Sequence, residues 1–76
     1  MDVHSDARVE MIAKIFKTLS DTNRLRIIKA LTMNCQSVSA IVKATEMSQP
    51  LVSHHLSVLR KTGLARAERH GAYTYY

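Results

Sequence analysis

Four polar side chains lie on one side of a helix predicted over residues 49–61. They are Gln49, Ser53, His54 and Ser57. A glutamine amide can pair with both hydrogen-bonding groups of an adenine edge, a serine hydroxyl can donate or accept, and an imidazole N–H can donate to a guanine acceptor or a phosphate. The chemistry that these residue types offer is recognition by hydrogen bonding. The alternative is that they form a neutral, solvated helix surface.

Basic residues follow that polar surface directly. Four positive charges fall within ten residues, at Arg60, Lys61, Arg66 and Arg69, offset only by Glu68. The whole chain carries 11 Lys and Arg against 6 Asp and Glu, which gives a net charge of +5. Such an excess in a small protein predicts a polyanionic partner, either nucleic acid or an anionic membrane surface.

Length and composition exclude several classes of protein. A chain of 76 residues has room for one small domain, so we treat residues 1–76 as a single unit. No apolar run is long enough to span a bilayer, and the N-terminal residues lack the apolar segment of a secretory signal. A single cysteine, Cys35, cannot form an internal disulfide. We therefore expect a cytoplasmic domain with no membrane partner.

The sequence also lacks the residue sets of an active site. It contains no carboxylate pair, no nucleophile–base set and no glycine-rich loop that could hold a phosphate. We expect neither catalysis nor a cofactor. Enzyme activity would require a longer chain, such as a methyltransferase with this domain as its DNA-binding head.

Hydrophobic spacing predicts four helices. Apolar residues at helical intervals mark a first helix from Val9 to Leu19, and either Ser20 or Asp21 can cap the second. A third, shorter helix runs from about Ser37 to Ala44. The segment Ser48-Gln49-Pro50 begins a fourth, because it combines a capping hydroxyl with a proline in the first turn. We expect the fourth helix to bury Val52, Leu56 and Leu59.

The spacing of apolar residues changes after Gly63, which ends the fourth helix. Residues Leu64–Arg69 and Ala72–Tyr76 predict two strands of a hairpin, with a turn at His70-Gly71. The expected fold class is mainly α with a small β-hairpin: a winged helix-turn-helix of four helices and a two-stranded wing. In that fold the second helix of the helix-turn-helix enters the major groove, with its N-terminal residues toward the base edges.

Three segments closely resemble the ArsR/SmtB family of bacterial winged-helix repressors. They are FKTLSDTNRLRII at residues 16–28, SQPLVSHHL at 48–56 and LRKTGL at 59–64. The resemblance covers roughly residues 10–76 and includes Gly71 and Tyr75-Tyr76 at the end of the wing. It implies a homodimeric transcriptional repressor that binds a pseudo-palindromic operator on double-stranded DNA and leaves it when an inducer binds.

The resemblance also implies where DNA contacts lie. The residues that we expect at the DNA are Ser48, Gln49, Leu51, Ser53, His54, Ser57, Arg60, Lys61, Arg66, Arg69, His70 and Arg24. Leu51 would meet a thymine methyl, with partial burial as the alternative. For Arg24 the alternative is a surface salt bridge to Asp21. His55 has three alternatives that agree equally well with the sequence: it packs inside the domain, it is exposed on the dimer side, or it contacts DNA.

Many members of the family sense metals through a Cys-Val-Cys pair on the third helix. Counting back from Ser48, that pair falls on Ser37-Val38-Ser39, whose hydroxyl groups are poor ligands for thiophilic metals. Other members carry Asp and His ligands on a helix after the wing, which would lie beyond Tyr76. Cys35 alone cannot chelate, so it is a small hydrophobe, a spectator or a redox switch. We expect no metal site, and the small-molecule or redox effector stays unassigned.

The first helix and the helix after the wing form the dimer interface in the family. On the first helix we expect Val9, Ile12, Ile15 and Phe16 at the interface or in the core. The sequence has no helix after the wing, so we expect either a shortened chain or a dimer with less buried surface.

One alternative belongs to a different functional class. A winged helix can be a protein-interaction module that does not bind DNA specifically. The basic wing argues against that alternative, because it predicts phosphate contacts.

Overall fold

The computed structural model describes residues 6–71 and 73–76, and the predicted strand residue Ala72 lies outside them. Within these residues, four helices precede a two-stranded antiparallel hairpin, which confirms the predicted fold class. The elements are α1 (Asp6–Leu19), α2 (Thr22–Leu31), α3 (Val38–Thr45), α4 (Gln49–Lys61), β1 (Glu68–His70) and β2 (Tyr73–Tyr75). No helix in the described part of the chain is long and apolar enough to cross a membrane.

Side-chain caps set the starts of the helices. Asp21, rather than Ser20, caps α2: its carboxylate accepts the backbone N–H groups of Asn23 and Arg24 at 2.9 and 3.2 Å. Ser37 caps α3 by accepting the N–H of Ala40 at 3.2 Å. Each cap satisfies donors that the first helical turn leaves without intrahelical partners.

The core lies where α2, α3 and α4 meet. Its buried side chains are Ile27, Ile41, Met47, Val52, Leu56 and Leu59. All three residues predicted to be buried on α4 are therefore in the core. Ile28, Leu31, Val38, Val42, Ala65 and Tyr76 pack around them. The core thus fixes α4 against both α2 and α3.

The turn between α3 and α4 has its own hydrogen bonds. Glu46 ends α3 in a left-handed conformation, with φ 59°. The Arg26 guanidinium donates to the Thr45 carbonyl at 2.6 Å, and the Thr45 hydroxyl donates to the Ile41 carbonyl at 2.7 Å. The first of these bonds links the end of α3 to α2, and the second closes the last turn of α3 just before α4 begins.

The wing is shorter than predicted at its first strand. Residues 64–67 are irregular, because the N–H groups of Leu64 and Ala65 both donate to the Leu59 carbonyl and close the end of α4. Gly63 permits this closure with φ 79°. His70, predicted in the turn, belongs to β1 and pairs with Tyr73.

The chain end is tied to the segment between α2 and α3. Gln36 and Tyr76 exchange two backbone hydrogen bonds of 3.0 and 2.8 Å, and Ser37 forms a bridge with Tyr75. The sequence analysis did not predict this pairing. It holds the wing against the body of the domain.

Replacing Leu56 with alanine should lower the free energy of unfolding by about 2–5 kcal/mol, because it leaves a cavity among fully buried side chains. Leu25→Ala is the matched control: it removes the same atoms from α2, where Leu25 is 47% exposed. That variant should lose about 1 kcal/mol or less. Urea denaturation followed by circular dichroism, at one protein concentration, measures both. Equal losses would contradict the assignment of the core.

Candidate nucleic-acid interface

The start of α4 is built by a capping serine and a proline. The Ser48 hydroxyl accepts the N–H of Leu51 at 3.3 Å, with the Ser48 backbone extended at φ −65° and ψ 153°. Pro50 lies in the first turn, where a missing N–H costs no helical hydrogen bond. The first turn of α4 is therefore well defined, and the side chains that follow it have fixed directions.

The opposite sides of α4 have different environments. Val52, His55, Leu56 and Leu59 are buried, at intervals of three, four and seven residues. The predicted contact residues Gln49, Ser53 and His54 are exposed. Because buried residues occupy one side, these three polar groups project away from the domain.

Two predicted contacts on α4 are less open than the rest. Leu51 is 37% exposed, so it is partly covered while its side chain still reaches the surface. Ser57 is half-buried. The polar face is thus most accessible over the first two turns of the helix, from Gln49 to His54.

Positive charge lies at the other end of the same helix. Arg60 and Lys61 are exposed in the last turn, and α4 contains no acidic residue. Lys61 lines a surface groove with Met11, Lys14 and Ile15 of α1. The structure therefore places Lys61 beside the first helix, away from Gln49.

The wing carries basic groups around one acidic residue. Arg66 Nη2 lies 3.9 Å from Glu68 Oε1, and His70 Nε2 lies 3.4 Å from Glu68 Oε2. Arg69 is exposed, and among the described residues it has no ion-pair partner. Both pairs of Glu68 are at the surface, where such pairs contribute about 1 kcal/mol or less.

Arg24 and His55 form a contact between α2 and α4. The Arg24 Nε–H donates to Nδ1 of His55 at 3.2 Å. The guanidinium therefore does not form the alternative salt bridge to Asp21, whose carboxylate accepts the Arg24 backbone N–H instead. His55 is 4% exposed, so it packs inside the domain. Its position between Val52 and Leu56 on the buried stripe is the sequence signal that favours burial.

The surroundings of Asp21 and His55 shift both pKa values downward. Burial disfavours the charged imidazole and lowers the pKa of His55, an effect that the Arg24 and His54 charges increase and the Asp21 carboxylate opposes. The hydrogen bond from the Arg24 backbone is the largest cause of the lowered pKa of Asp21, although desolvation opposes it. Asp21 is thus an ionised cap near neutral pH, and His55 is neutral.

Serines occupy the two positions where metal-sensing members of the family carry a thiolate pair. Ser37 caps α3, Ser39 is exposed, and Cys35 is an exposed free thiol. Within residues 6–71 and 73–76, no group of three or more His, Cys, Asp or Glu side chains could hold a metal ion.

An apolar surface runs along α1. Val9, Ile12 and Phe16 are exposed, Phe16 to 69%, and Ile15 is half-buried. Met11, which was not among the predicted interface residues, is also exposed. Exposed apolar side chains clustered on one helix are typical of a surface that another protein covers.

Comparison with known proteins identifies the family. The sequence model of the family described as bacterial regulatory protein, arsR family, matches residues 21–67, which include α2, α3 and α4. This chain belongs to that family. The ArsR-family chain is a winged helix-turn-helix transcriptional regulator, as the resemblance implied.

Its relatives are regulators from several organisms. The ArsR-family chain is 37% identical over 70 residues to an HTH-type transcriptional regulator of Methanocaldococcus jannaschii, covering 91% of this chain and 79% of that protein. It is 33% identical over 75 residues to an SmtB-homologue transcriptional repressor of Synechocystis, covering 99% of this chain and 57% of that protein. It thus spans little more than half the length of the Synechocystis protein.

Solved structures share the fold. The homodimeric winged helix-turn-helix DNA-binding domain of a possible ArsR-family regulator from Mycobacterium bovis superposes with a TM-score of 0.91 at 32% identity, covering 100% of this chain and 70% of that one. Reduced HlyU of Vibrio cholerae superposes with a TM-score of 0.85 at 26% identity, covering 96% and 77%.

Replacing Ser48 with alanine should lower the free energy of unfolding by about 1 kcal/mol, because α4 loses its cap. Ser48→Asn should restore most of the loss, since an asparagine oxygen also accepts at a helix start. Ser39→Ala, which removes an exposed hydroxyl from α3, is the control and should change stability by less than about 0.5 kcal/mol. Urea denaturation measures all three. If the asparagine variant were no more stable than the alanine variant, the hydroxyl would not act as a cap.

Proposed function

We propose that this chain is a sequence-specific DNA-binding repressor that acts in the cytoplasm as a homodimer on a pseudo-palindromic operator. The observation that carries the proposal is the exposed polar face over the first turns of α4, on a helix whose other side is buried in the core. A repressor from Synechocystis and a homodimeric DNA-binding domain from Mycobacterium bovis are among the similar proteins, which supports both parts.

Base contacts are assigned to the N-terminal half of α4. Gln49 would pair with an adenine edge, Ser53 would donate or accept, and His54 would donate to a guanine acceptor or a phosphate. Leu51 would touch a thymine methyl. Their exposure supports this assignment, because a major groove accepts one whole side of a helix.

Phosphate contacts are assigned to the basic groups around that helix. They are Arg24, Arg60, Lys61, Arg66, Arg69 and His70, with the hydroxyls of Ser48 and Ser57 at the helix. The exposed pairs of Glu68 with Arg66 and His70 are weak enough to be exchanged for phosphate. These contacts position the protein, whereas base contacts discriminate among sequences.

The dimer is assigned to the apolar surface of α1. Val9, Ile12, Ile15 and Phe16 would be buried between two copies. A two-fold axis would place the two α4 helices in successive major grooves, about 34–36 Å apart. We further propose that this chain has no catalytic activity. We also propose that it has no thiolate metal site, since serine hydroxyls occupy positions 37 and 39.

Removing base contacts should reduce the preference for the operator. Gln49→Ala and Ser53→Ala should each weaken binding to the duplex upstream of the chain's own gene by about 1–3 kcal/mol. Binding to random duplex should change much less, because phosphate contacts remain. Ser39→Ala, which removes the same hydroxyl from α3, is the control and should bind normally. Fluorescence anisotropy at physiological salt measures these affinities.

Equal affinity of the unmodified protein for the upstream duplex and for random duplex would contradict specific binding. That outcome would favour the alternative of a protein-interaction module, in which the polar face of α4 has no operator to read.

A charge on the α1 surface should prevent dimerisation. Phe16→Asp would place a carboxylate in the proposed interface, and burying an unpaired charge is strongly unfavourable. Sedimentation velocity at tens of micromolar should show a dimer for the unmodified chain and a monomer for the variant. Met33→Asp introduces the same charge at an exposed apolar residue between α2 and α3 and should leave the dimer intact. A monomeric unmodified chain would contradict the proposal.

A further inference from the structure

The contact between Arg24 and His55 lies next to the proposed DNA surface. Arg24 is the third residue of α2 and is half-buried, and His55 is in the middle of α4. The neighbouring His54 imidazole is exposed, with its ring centre 5.4 Å from that of His55. The bond of 3.2 Å from Arg24 Nε to His55 Nδ1 therefore joins two elements at the edge of the polar face.

The chemistry of this bond fixes the state of the imidazole. A guanidinium stays protonated in proteins, so its Nε can only donate. Nδ1 of His55 must then carry a lone pair, and the proton of the neutral ring lies on Nε2. Neither Nη group of Arg24 donates to the part of the chain that the structure describes. The imidazole thus anchors one edge of the guanidinium and leaves the other edge for a further acceptor.

We infer that His55 is a positioning residue: its neutral imidazole holds Arg24 so that the guanidinium Nη groups can bind a DNA phosphate beside α4. The inference rests on the proposed DNA-binding function. His55 is buried and does not touch DNA, yet it contributes to the affinity for DNA through Arg24. That contribution depends on protonation, because an imidazolium ring has no lone pair to offer.

Three charged groups act on the imidazole. The Asp21 carboxylate at the α2 cap favours its protonation, whereas the Arg24 guanidinium and the His54 imidazole oppose it. Within the described residues, neither α1 nor α3 adds a charge to this set. Burial is the largest influence and holds the pKa of His55 below its ordinary value. The contact is therefore intact near pH 7.5 and is lost as pH falls well below about 6.5.

The free energy of unfolding changes with pH in the same direction as the Arg24–His55 contact. Because the folded state resists protonating His55, the unfolded chain binds more protons below pH about 6.5 and stability falls in that range. Comparison of variants at His55 isolates the contribution of this one imidazole.

The first experiment tests coupling through Arg24. Anisotropy of a labelled duplex from upstream of the chain's own gene is measured from 50 to 300 mM salt, which is about the range where phosphate contacts dominate. Arg24→Ala and His55→Ala should each weaken binding about tenfold and lower the salt slope by about one unit. The double variant should be no worse than Arg24→Ala alone. Independent, additive losses would overturn the inference.

The second experiment tests protonation with a variant that keeps the acceptor. His55→Asn places a side-chain oxygen near the position of Nδ1 but does not titrate. At pH 7.5 it should bind within about threefold of the unmodified chain, and at pH 5.0 it should bind about tenfold more tightly than the unmodified chain. His54→Asn binds more weakly throughout and should keep the acid-dependent loss. A constant ratio between His55→Asn and the unmodified chain at both pH values would overturn the inference.

Thermal unfolding of every variant is measured in parallel. If His55→Ala does not fold, the His55→Asn pH comparison and the Arg24→Ala salt slope decide the question. An unmodified chain that fails to bind either the upstream or a random duplex would contradict the proposed function itself. Binding by the unmodified chain with no effect of Arg24→Ala would overturn only the role of His55.

Discussion

The burial of one side of α4 is the constraint on which the rest of the structure depends. Val52, Leu56 and Leu59 are fully buried against Ile27 of α2 and Ile41 of α3. Side chains of this size stabilise a fold by about 1.5–3 kcal/mol each when removed from water. Because the stripe cannot rotate into solvent without that loss, the polar residues on the other side are held outward. The outward direction of the polar side chains proposed to meet DNA is thus a consequence of core packing.

The same small core explains why α1 differs from the other helices. With α2, α3 and α4 enclosing the buried residues, little apolar surface remains for α1 to cover. Its apolar side chains are consequently left at the surface, Phe16 most of all. A domain this short buries a modest fraction of its surface, so a further apolar interface is a physically reasonable source of stability. Core size and the proposed dimerisation are in this way linked.

Local chemistry made much of the fold predictable. Ser48 with Pro50 marked the start of α4, Gly63 marked its end, and the apolar spacing between them identified the buried side. These signals act within one or two helical turns, which is why sequence patterns detect them. The predicted start of the first wing strand was wrong because the N–H groups of Leu64 and Ala65 donate to the Leu59 carbonyl at the end of α4. These N–H groups could have bonded to a neighbouring strand instead, and packing decides between the two partners.

By itself the sequence determined the bounds of α4, its buried side and the identities of the polar and basic groups that could meet DNA, since all of these depend on near neighbours. Only the tertiary structure decided the side-chain contact between Arg24 and His55, which are 31 residues apart, and the backbone pairing of Gln36 with Tyr76. Arg24 had Asp21 within reach along the chain, yet its guanidinium donates to His55. Bringing α2 against α4 buried an acceptor beside it, and a buried acceptor is costly to leave unpaired, whereas an exposed ion pair contributes little.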